Sequence, residues 1–535
     1  MTLMVGDRVS FDGEIATVRF VGSIPNWPNE TALGVEWDSP GRGKNDGKLG
    51  GVRYFQTTFG DKSGSFVKAS KAKDRRKSFL EALVEKYGDA NSVSRMVQDS
   101  VVPREDIKLR DDMAEYQGLE IGSRDWKVLG FRNLSRITAN FENLTHISLD
   151  HECIYTNEDE KYGNQTLELN KILPDVRVLN LGFNLIDDFS VVHSIVLQLN
   201  SLSELNLNGN VFSAFGRNLA PLKNIHTLSL ASCHLDETNL ESLVSVFPNL
   251  RRLSLSTNDV RNWTKCLTAL ARLPNLHFLD ASFNELEDFD FETLKSLVAL
   301  EALNMCGNRL DFRVPLRVSL EKIRELDISA NNIADWNAVD NINLLFPQLK
   351  KIRVNNNPYC ERGEGKEWED ELLVQLVSRF NSGLEILDGS EILASLRESC
   401  ELYFIAKVIK GEIPYDVSLG RWHWLEKQYG IDKDARRSRK PDNNEKLFGG
   451  IFLSVEVGAK LLRKFVLPEC TVGKLKGNIS RDLKQCVLDF EIVYDNQPAG
   501  IKETMTNDMK QLGFYNMEDG TRIIVQSKVG VRRET

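Results

Sequence analysis

From Leu144 onward the chain repeats itself, and that periodicity limits what it can fold into more than any other feature. The lines VRVLNLGFNLI, LSELNLNGNVF, IHTLSLASCHL, LRRLSLSTNDV, LHFLDASFNEL, LEALNMCGNRL, IRELDISANNI and LKKIRVNNNPY begin at Val176, Leu202, Ile225, Leu250, Leu276, Leu300, Ile323 and Leu349, about 23 to 26 residues apart. One such unit cannot bury its own apolar face, so neighbours must stack. Each line sets three apolar side chains inside one turn and an asparagine where the strand ends, its amide placed to bond the backbone: Asn184, Asn210, Asn258, Asn284, Asn308, Asn331 and Asn357, with Cys233 once in that place. These asparagines are structural. An earlier line, LTHISLDHECI from Leu144, has Glu152 there and reads as a divergent terminal repeat.

The period is that of leucine-rich repeats. Stretches such as ETNLESLVSVFP and VDNINLLFP have helical spacing, which predicts an α/β solenoid with helices on its convex side. Parallel strands stacked about 4.8 Å apart make a concave sheet on the order of 40 Å long, a surface suited to a folded protein and not to a small metabolite. Its outward positions include Asn206, Arg252, Phe278, Asp280, Asp327 and Arg353, the candidate contact residues. With Phe278 as the one aromatic anchor, a broad polar contact is expected. The array runs over 131–430, and SLRESCELYFIAKVIKGEI supplies helical spacing for an end cap.

At the other end of the chain, Gly43-Lys44-Asn45-Asp46-Gly47 lies between GVEWD and Arg53-Tyr54-Phe55. Two glycines that permit positive φ bracket three polar residues, so the segment can present an ammonium, an amide and backbone N–H groups to a carboxylate. Trp37, Tyr54, Phe55 and Phe66 are the expected aromatic wall for the ligand's last side chain. GKNDG, preceded by GVEWDSPGR and followed by YF and GSFV, resembles the CAP-Gly domain over residues 4 to 71, which implies a small β-rich domain at 1–71. Members of that family hold the acidic C-terminal tails of α-tubulin and of microtubule end-binding proteins. The resemblance implies that Lys44 and Asn45 contact the terminal carboxylate and preceding acids, while Asp46, Gly43 and Gly47 shape the loop. Ala32 stands where the family usually has a groove tryptophan, so either Trp27 takes its place or the tail is held more weakly.

Residues 72–130 read as a linker with a short helix near Ser78 to Tyr87, and 431–447, with ARRSRKPDNNEK, as a second linker. In 448–535, GIFLSVEV and LRKFVLP read as strands, TVGKLKGNISRDL as a helix, and FEIVYD and TRIIVQ as strands. This is the order of a β-grasp and resembles ubiquitin-like domains. The chain ends VGVRRET without a Gly-Gly pair, so a docking module is expected.

A length of 535 residues suggests roughly three or four domains. The net charge of -9 argues against nucleic acid as the main partner, although Lys62, Lys68, Lys71, Lys73, Arg75, Arg76 and Lys77 form a basic run that would attract an acidic one. No signal-peptide pattern opens the chain and no apolar run is long enough to span a membrane. Eight scattered cysteines without CxxC spacing suggest a reduced, cytoplasmic protein. The chain has no phosphate loop, HExxH or GxSxG motif, and the spacing of His146, His151 and Cys153 matches no standard zinc pattern. A binding protein is expected, with no cofactor and no metal.

The three modules in this order are similar to the tubulin-folding cofactor E family of α-tubulin-specific chaperones. The resemblance implies binding of α-tubulin and the α/β-tubulin heterodimer, work alongside tubulin cofactors B, C and D, dissociation of the heterodimer, and a cytoskeleton-associated location. Two other readings use the same modules: a microtubule-associated CAP-Gly adaptor, and a ubiquitin-pathway adaptor whose last domain engages the proteasome.

Overall fold

The computed structural model describes residues 3–88, 141–157, 169–431 and 451–527, apart from short stretches at 213–214, 216–218, 259, 261, 314–317, 362, 364–365, 459, 467–469, 497–500, 516 and 518–519. Most of the two expected linkers, at 89–130 and 432–447, lies outside them, as does VGVRRET. The chain forms two compact units, Met1–Met305 and Cys306–Thr535.

The first unit begins with an antiparallel sheet in the order β1 (Arg8–Phe11), β2 (Glu14–Ile24), β3 (Trp27–Trp37), then β6 (Gly64–Lys68), with the small hairpin β4 (Lys48–Leu49) and β5 (Val52–Arg53) inserted before β6. Alternate residues point to one face, so Val9, Phe11, Ala16, Val18, Leu33, Val35 and Trp37 gather into one core. Phe20, Tyr54, Phe55 and Phe66 form a second, edge-to-face cluster. Phe55 fits there because Gly34 has no side chain: a Cβ would lie 2.4 Å from its ring. The fully buried Glu36 accepts from Phe59 N–H at 2.8 Å, Arg19 at 2.9 Å and Ser63 at 3.2 Å, which holds the 56–63 loop beneath the GKNDG segment.

Residues 72–88, expected to open a linker, instead join this sheet to the repeats. β7 (Lys77–Ser78) pairs in parallel with β9 (Ile154–Thr156). Ser78 then caps α1 (Phe79–Tyr87), accepting from Glu81 N–H at 3.1 Å. Phe79, Leu80, Ala82 and Leu83 are buried. Lys77 bridges Glu85 and Glu152, each at 2.9 Å, and Tyr87 Oη accepts from Ser148 N–H at 2.9 Å. The Phe59 ring stacks on His234 with centroids 3.5 Å apart.

In the repeats, β8 (His146–Ser148), β10 (Val178–Asn180), β11 (Glu204–Asn206), β12 (Thr227–Ser229), β13 (Arg252–Ser254), β14 (Phe278–Asp280) and β15 (Ala302–Asn304) lie side by side, parallel and in register. The central Ile147, Leu179, Leu205, Leu228, Leu253, Leu279 and Leu303 stack as one buried row. Asn184 shows what the asparagines do: Nδ2 donates to Leu149 and Leu181 carbonyls at 2.8 and 2.9 Å, and Oδ1 accepts from Glu152 and Ile154 N–H. Cys233 does part of this work, with Sγ 3.3 Å from the Leu207 carbonyl. One residue before each such position the backbone is left-handed, with φ between 52° and 58° at His151, Phe183, Ser232, Thr257 and Phe283. α2 (Phe189–Val196), α3 (Glu237–Val246) and α4 (Trp263–Leu270) fill the helical stretches between strands.

The second unit carries β16 (Glu325–Asp327), β17 (Lys351–Arg353) and β18 (Ile386–Leu387) in parallel, with β19 (Ser390–Glu391) turned back on β18. Beside these strands lie helices α5 (Trp336–Leu345), α6 (Lys366–Arg379), α7 (Ala394–Ile409) and α8 (Gly420–Tyr429). Buried ion pairs lock them: Arg379 to Asp340 and Arg421 to Glu401, both at 2.5 Å. The C-terminal sheet runs β21 (Lys460–Val466), β20 (Ile451–Val457), β24 (Thr521–Ser527), β22 (Phe490–Asn496), β23 (Ile501–Thr504), packed on α9 (Val472–Leu483). β23 is an addition to the expected strands. This domain also leans on its own unit's helices: Tyr403 of α7 meets Phe452 and Phe465 at 5.0 and 5.5 Å, and Ser395 bonds Asp482 at 2.6 Å and Lys464 at 2.9 Å.

Candidate functional site

A groove of about 350 Å³ runs along β6, bounded at one end by Arg42, Lys44 and Asn45 and at the other by Ile24, Asn26 and Trp27; Trp37, Leu49, Ser65, Phe66, Val67 and Lys71 line it between. The GKNDG loop is built differently from the expectation. Gly43 has φ -76°, so positive φ is not its reason; a Cβ there would lie 2.1 Å from the Lys62 carbonyl. Gly47 needs both freedoms, with φ +88° and a Cβ position 2.1 Å from the Phe55 carbonyl. The backbone N–H groups expected to face a ligand are taken: Lys44 and Asn45 donate to the Gly64 carbonyl at 2.7 and 3.0 Å, and Gly47 donates to Asn45 Oδ1 at 3.0 Å. What the loop offers is therefore side chains, the Lys44 ammonium and the Asn45 amide NH2, neither partnered among the described residues.

Asp46 does not line the groove. Its carboxylate meets Arg53 at 2.7 Å and Lys48 at 3.5 Å, and Arg53 also donates to the Asp46 carbonyl, so the residue shapes the loop. Partial desolvation works to raise its carboxyl, but the Arg53 bond and the charges of Arg53 and Lys48 outweigh that and hold it below the usual range. Of the expected aromatic wall, Trp37 and Phe66 border the groove, whereas Phe55 is buried behind Gly34 and Gly47 and Tyr54 packs behind Phe66. Ala32 is fully buried and Trp27 lines the far end.

Two residues outside the expected site list, Arg42 and Lys71, add to the charge of Lys44. Arg42 lies 4.5 Å over the Trp37 ring, and Lys71 lies 3.4 Å from Asp12 and 5.2 Å over Phe11. Among the described residues, three cations and no carboxylate line the groove. Trp37 Nε1 and Ser65 Oγ are buried without a hydrogen-bond partner among the described residues. Lys71 had a signal, the basic run; Arg42 and Ser65 had none beyond adjacency to the glycines.

The repeat-face candidates fall into separate groups. In the first unit Arg252 lies 4.2 Å over the Phe278 ring, Asp280 accepts from Ser254 at 2.8 Å, and Asn206, three strands from Asp280, accepts from Asn208 N–H at 2.9 Å. In the second unit Arg353 pairs with Asp327 at 3.6 Å.

The N-terminal fold and its cationic groove define the class, and residues 5–72 match the CAP-Gly domain family. Over 552 residues the chain is 30% identical to Protein PAC2 of Saccharomyces cerevisiae, covering 99% of this chain and 98% of that one. It is 28% identical to Tubulin-specific chaperone E of Danio rerio, covering 98% of each, and 28% identical to Tubulin-folding cofactor E of Arabidopsis thaliana, covering 89% of this chain and 88% of that one. The solution structure of the C-terminal ubiquitin-like domain of mouse tubulin-specific chaperone e aligns with 17% of the chain at 24% identity and a TM-score of 0.16, covering all of that domain. The chain belongs to the tubulin-specific chaperone E family, also called tubulin-folding cofactor E.

Proposed function

We propose that this protein is a tubulin chaperone that binds α-tubulin at two places, assists assembly of the α/β heterodimer with cofactors B, C and D, and can take the heterodimer apart. The groove at Lys44 and Asn45 takes the acidic C-terminal tail, and the repeats, as a leucine-rich solenoid, take the body of α-tubulin over a polar face that includes Arg252, Phe278 and Asp280. The observation that carries this reading is a tail-sized groove lined by Arg42, Lys44 and Lys71 with no carboxylate among the described residues of its walls. The β7–β9 pairing and the Phe59–His234 stack hold the groove to the first repeats, so the second contact is preorganised and loses less entropy than one reached through a free tether. Dissociation follows if the repeat face binds α-tubulin better when β-tubulin is absent, since a binder shifts an equilibrium only by its differential affinity. The protein acts by binding, in the cytoplasm, without catalysis. α-Tubulin lacking its acidic tail residues is expected to bind at least tenfold more weakly by surface plasmon resonance; undiminished binding would overturn the proposal.

A further inference from the structure

Among the described residues strand β6 has a sheet neighbour, β3, on one side only, and its register shows which backbone groups face the other side. Bonds to β3 fall on odd-numbered residues, since Trp37 N–H donates to Ser63 O at 2.8 Å and Ala69 N–H donates to Thr31 O at 2.9 Å, at either end of the Ser65–Val35 and Val67–Leu33 pairs. In an antiparallel ladder such bonded pairs alternate with non-bonded ones. Gly64, Phe66 and Lys68 therefore turn their N–H and C=O groups outward. Gly64 makes the direction visible: its N–H donates to Asn45 O at 2.8 Å and its carbonyl accepts from Lys44 and Asn45, an antiparallel bridge that fills the first rung. The Lys68 carbonyl accepts from Lys71 N–H at 3.0 Å. Phe66 N–H, Phe66 C=O and Lys68 N–H have no partner among the described residues. Phe66 lies on the groove, next to the buried and unpartnered Ser65 Oγ, and Lys68 follows one rung further along the strand.

We infer that the open edge of β6 binds its ligand as an added strand, an extended acidic peptide with a free C-terminal carboxylate that runs antiparallel to β6 and exchanges both backbone hydrogen bonds with Phe66. The inference rests on the reading of the groove as a tail site and adds how the tail's main chain is held. Polarity follows from the charges: the carboxylate goes to Lys44 and Asn45 at the Gly64 end, so the chain must climb toward Lys68 with its N-terminus leading away, which is the antiparallel sense that the Asn45–Gly64 bridge already has. Because Asn45 occupies the Gly64 rung, the ligand's last residue lies opposite Ser65 and its penultimate residue opposite Phe66. The fourth residue from the end then offers its carbonyl to Lys68 N–H. Main-chain pairing of this kind gives affinity that tolerates different side chains, while Arg42, Lys44 and Lys71 select acidic ones.

The test is an N-methyl scan of a synthetic six-residue glutamate-rich peptide with a terminal tyrosine and free carboxylate, titrated calorimetrically into the full-length chain. Methylating the penultimate amide is expected to weaken binding roughly tenfold, as loss of one well-formed hydrogen bond and added bulk at the rung predict. Methylating the last or the third amide from the end should change affinity less than threefold. Hydrogen exchange at single-residue resolution should show Phe66 and Lys68 N–H newly protected by the unmodified peptide. A flat scan with no protection at Phe66, in a protein where C-terminal amidation of the peptide still abolishes binding, overturns strand addition and leaves the tail site standing. Amidation without effect, or no binding of the free peptide, overturns both.

Discussion

In the N-terminal domain the edge strand β6 leaves the backbone groups of Phe66 without a partner among the described residues, beside three cations. In the C-terminal domain the edge strand β21 lies against α7 of its own unit, with Phe465 on Tyr403 and Lys464 buried with Asp482 and Ser395. Two small β domains thus manage the same liability in opposite ways: one leaves its edge available beside a charged groove, and the other covers it with a helix. The contrast fits the proposed use of the first edge by a partner, whereas the β21 side of the second sheet is already occupied by a helix of its own unit.

The largest effect that checks this contrast is expected at Asp482. Asp482→Ala leaves Lys464, 2% exposed, without its carboxylate and should cost about 3–5 kcal/mol of stability in denaturant unfolding. A cost below about 1 kcal/mol would show that β21 is not held as described. Next comes the groove. The Lys44→Ala, Asn45→Ala double variant should lose roughly a hundredfold in affinity for an acidic tail peptide, about 3 kcal/mol, with only a slightly lowered melting temperature, because the backbone bonds to Gly64 remain and only the Gly47 N–H bond to Asn45 Oδ1 is lost. Unaltered capture of tubulin by this variant would remove the tail site.

A third measurement concerns the buried charges of the second unit. Burial pushes the Asp340 carboxyl up to about 6 against the pull of Arg379, above its ordinary value of 3.8. The folded protein therefore holds this proton more tightly than the unfolded chain does. Its contribution to stability is fully present below pH 3.8 and is lost as pH rises through about 6. Relative to Asp340→Asn, the wild type should lose on the order of 2–3 kcal/mol between pH 4 and pH 7, read from denaturant midpoints; equal pH profiles would contradict it. The smallest effect is expected at the joint. Phe59→Ala removes the stack on His234 and should cost about 1 kcal/mol while leaving peptide affinity unchanged and weakening capture of whole tubulin severalfold in a pull-down titration. A fall in peptide affinity would place Phe59 in the groove itself.

Much of the fold was legible in the sequence. The repeat lines predicted β10 to β17, and the asparagines bond the backbone as their position suggested, because each such contact lies within one coil or its neighbour. The helix at Phe79–Tyr87 was also visible. Its role was not, since the partner of β7 is β9, more than seventy residues away in sequence. Of the residues that line the groove, Lys44, Asn45, Trp37 and Phe66 were legible from the GKNDG loop and its aromatic neighbours. Phe55 looked like wall and proved to be backing, because its burial depends on the absence of a side chain at Gly34. The backbone donors of Lys44 and Asn45 looked free and are bonded to Gly64, and that of Gly47 is bonded to Asn45 Oδ1.

The amino-acid order by itself determined the period, the strand of each repeat, the β-rich first domain and the ammonium and amide that Lys44 and Asn45 bring to one loop, all of which follow from side-chain type at short, regular spacing. Only the tertiary structure decided which backbone groups remain unpaired, which rings line the groove and which edge strand is covered. A hydrogen bond or a burial depends on the group that arrives from a distant part of the chain, and local pattern carries no record of that arrival.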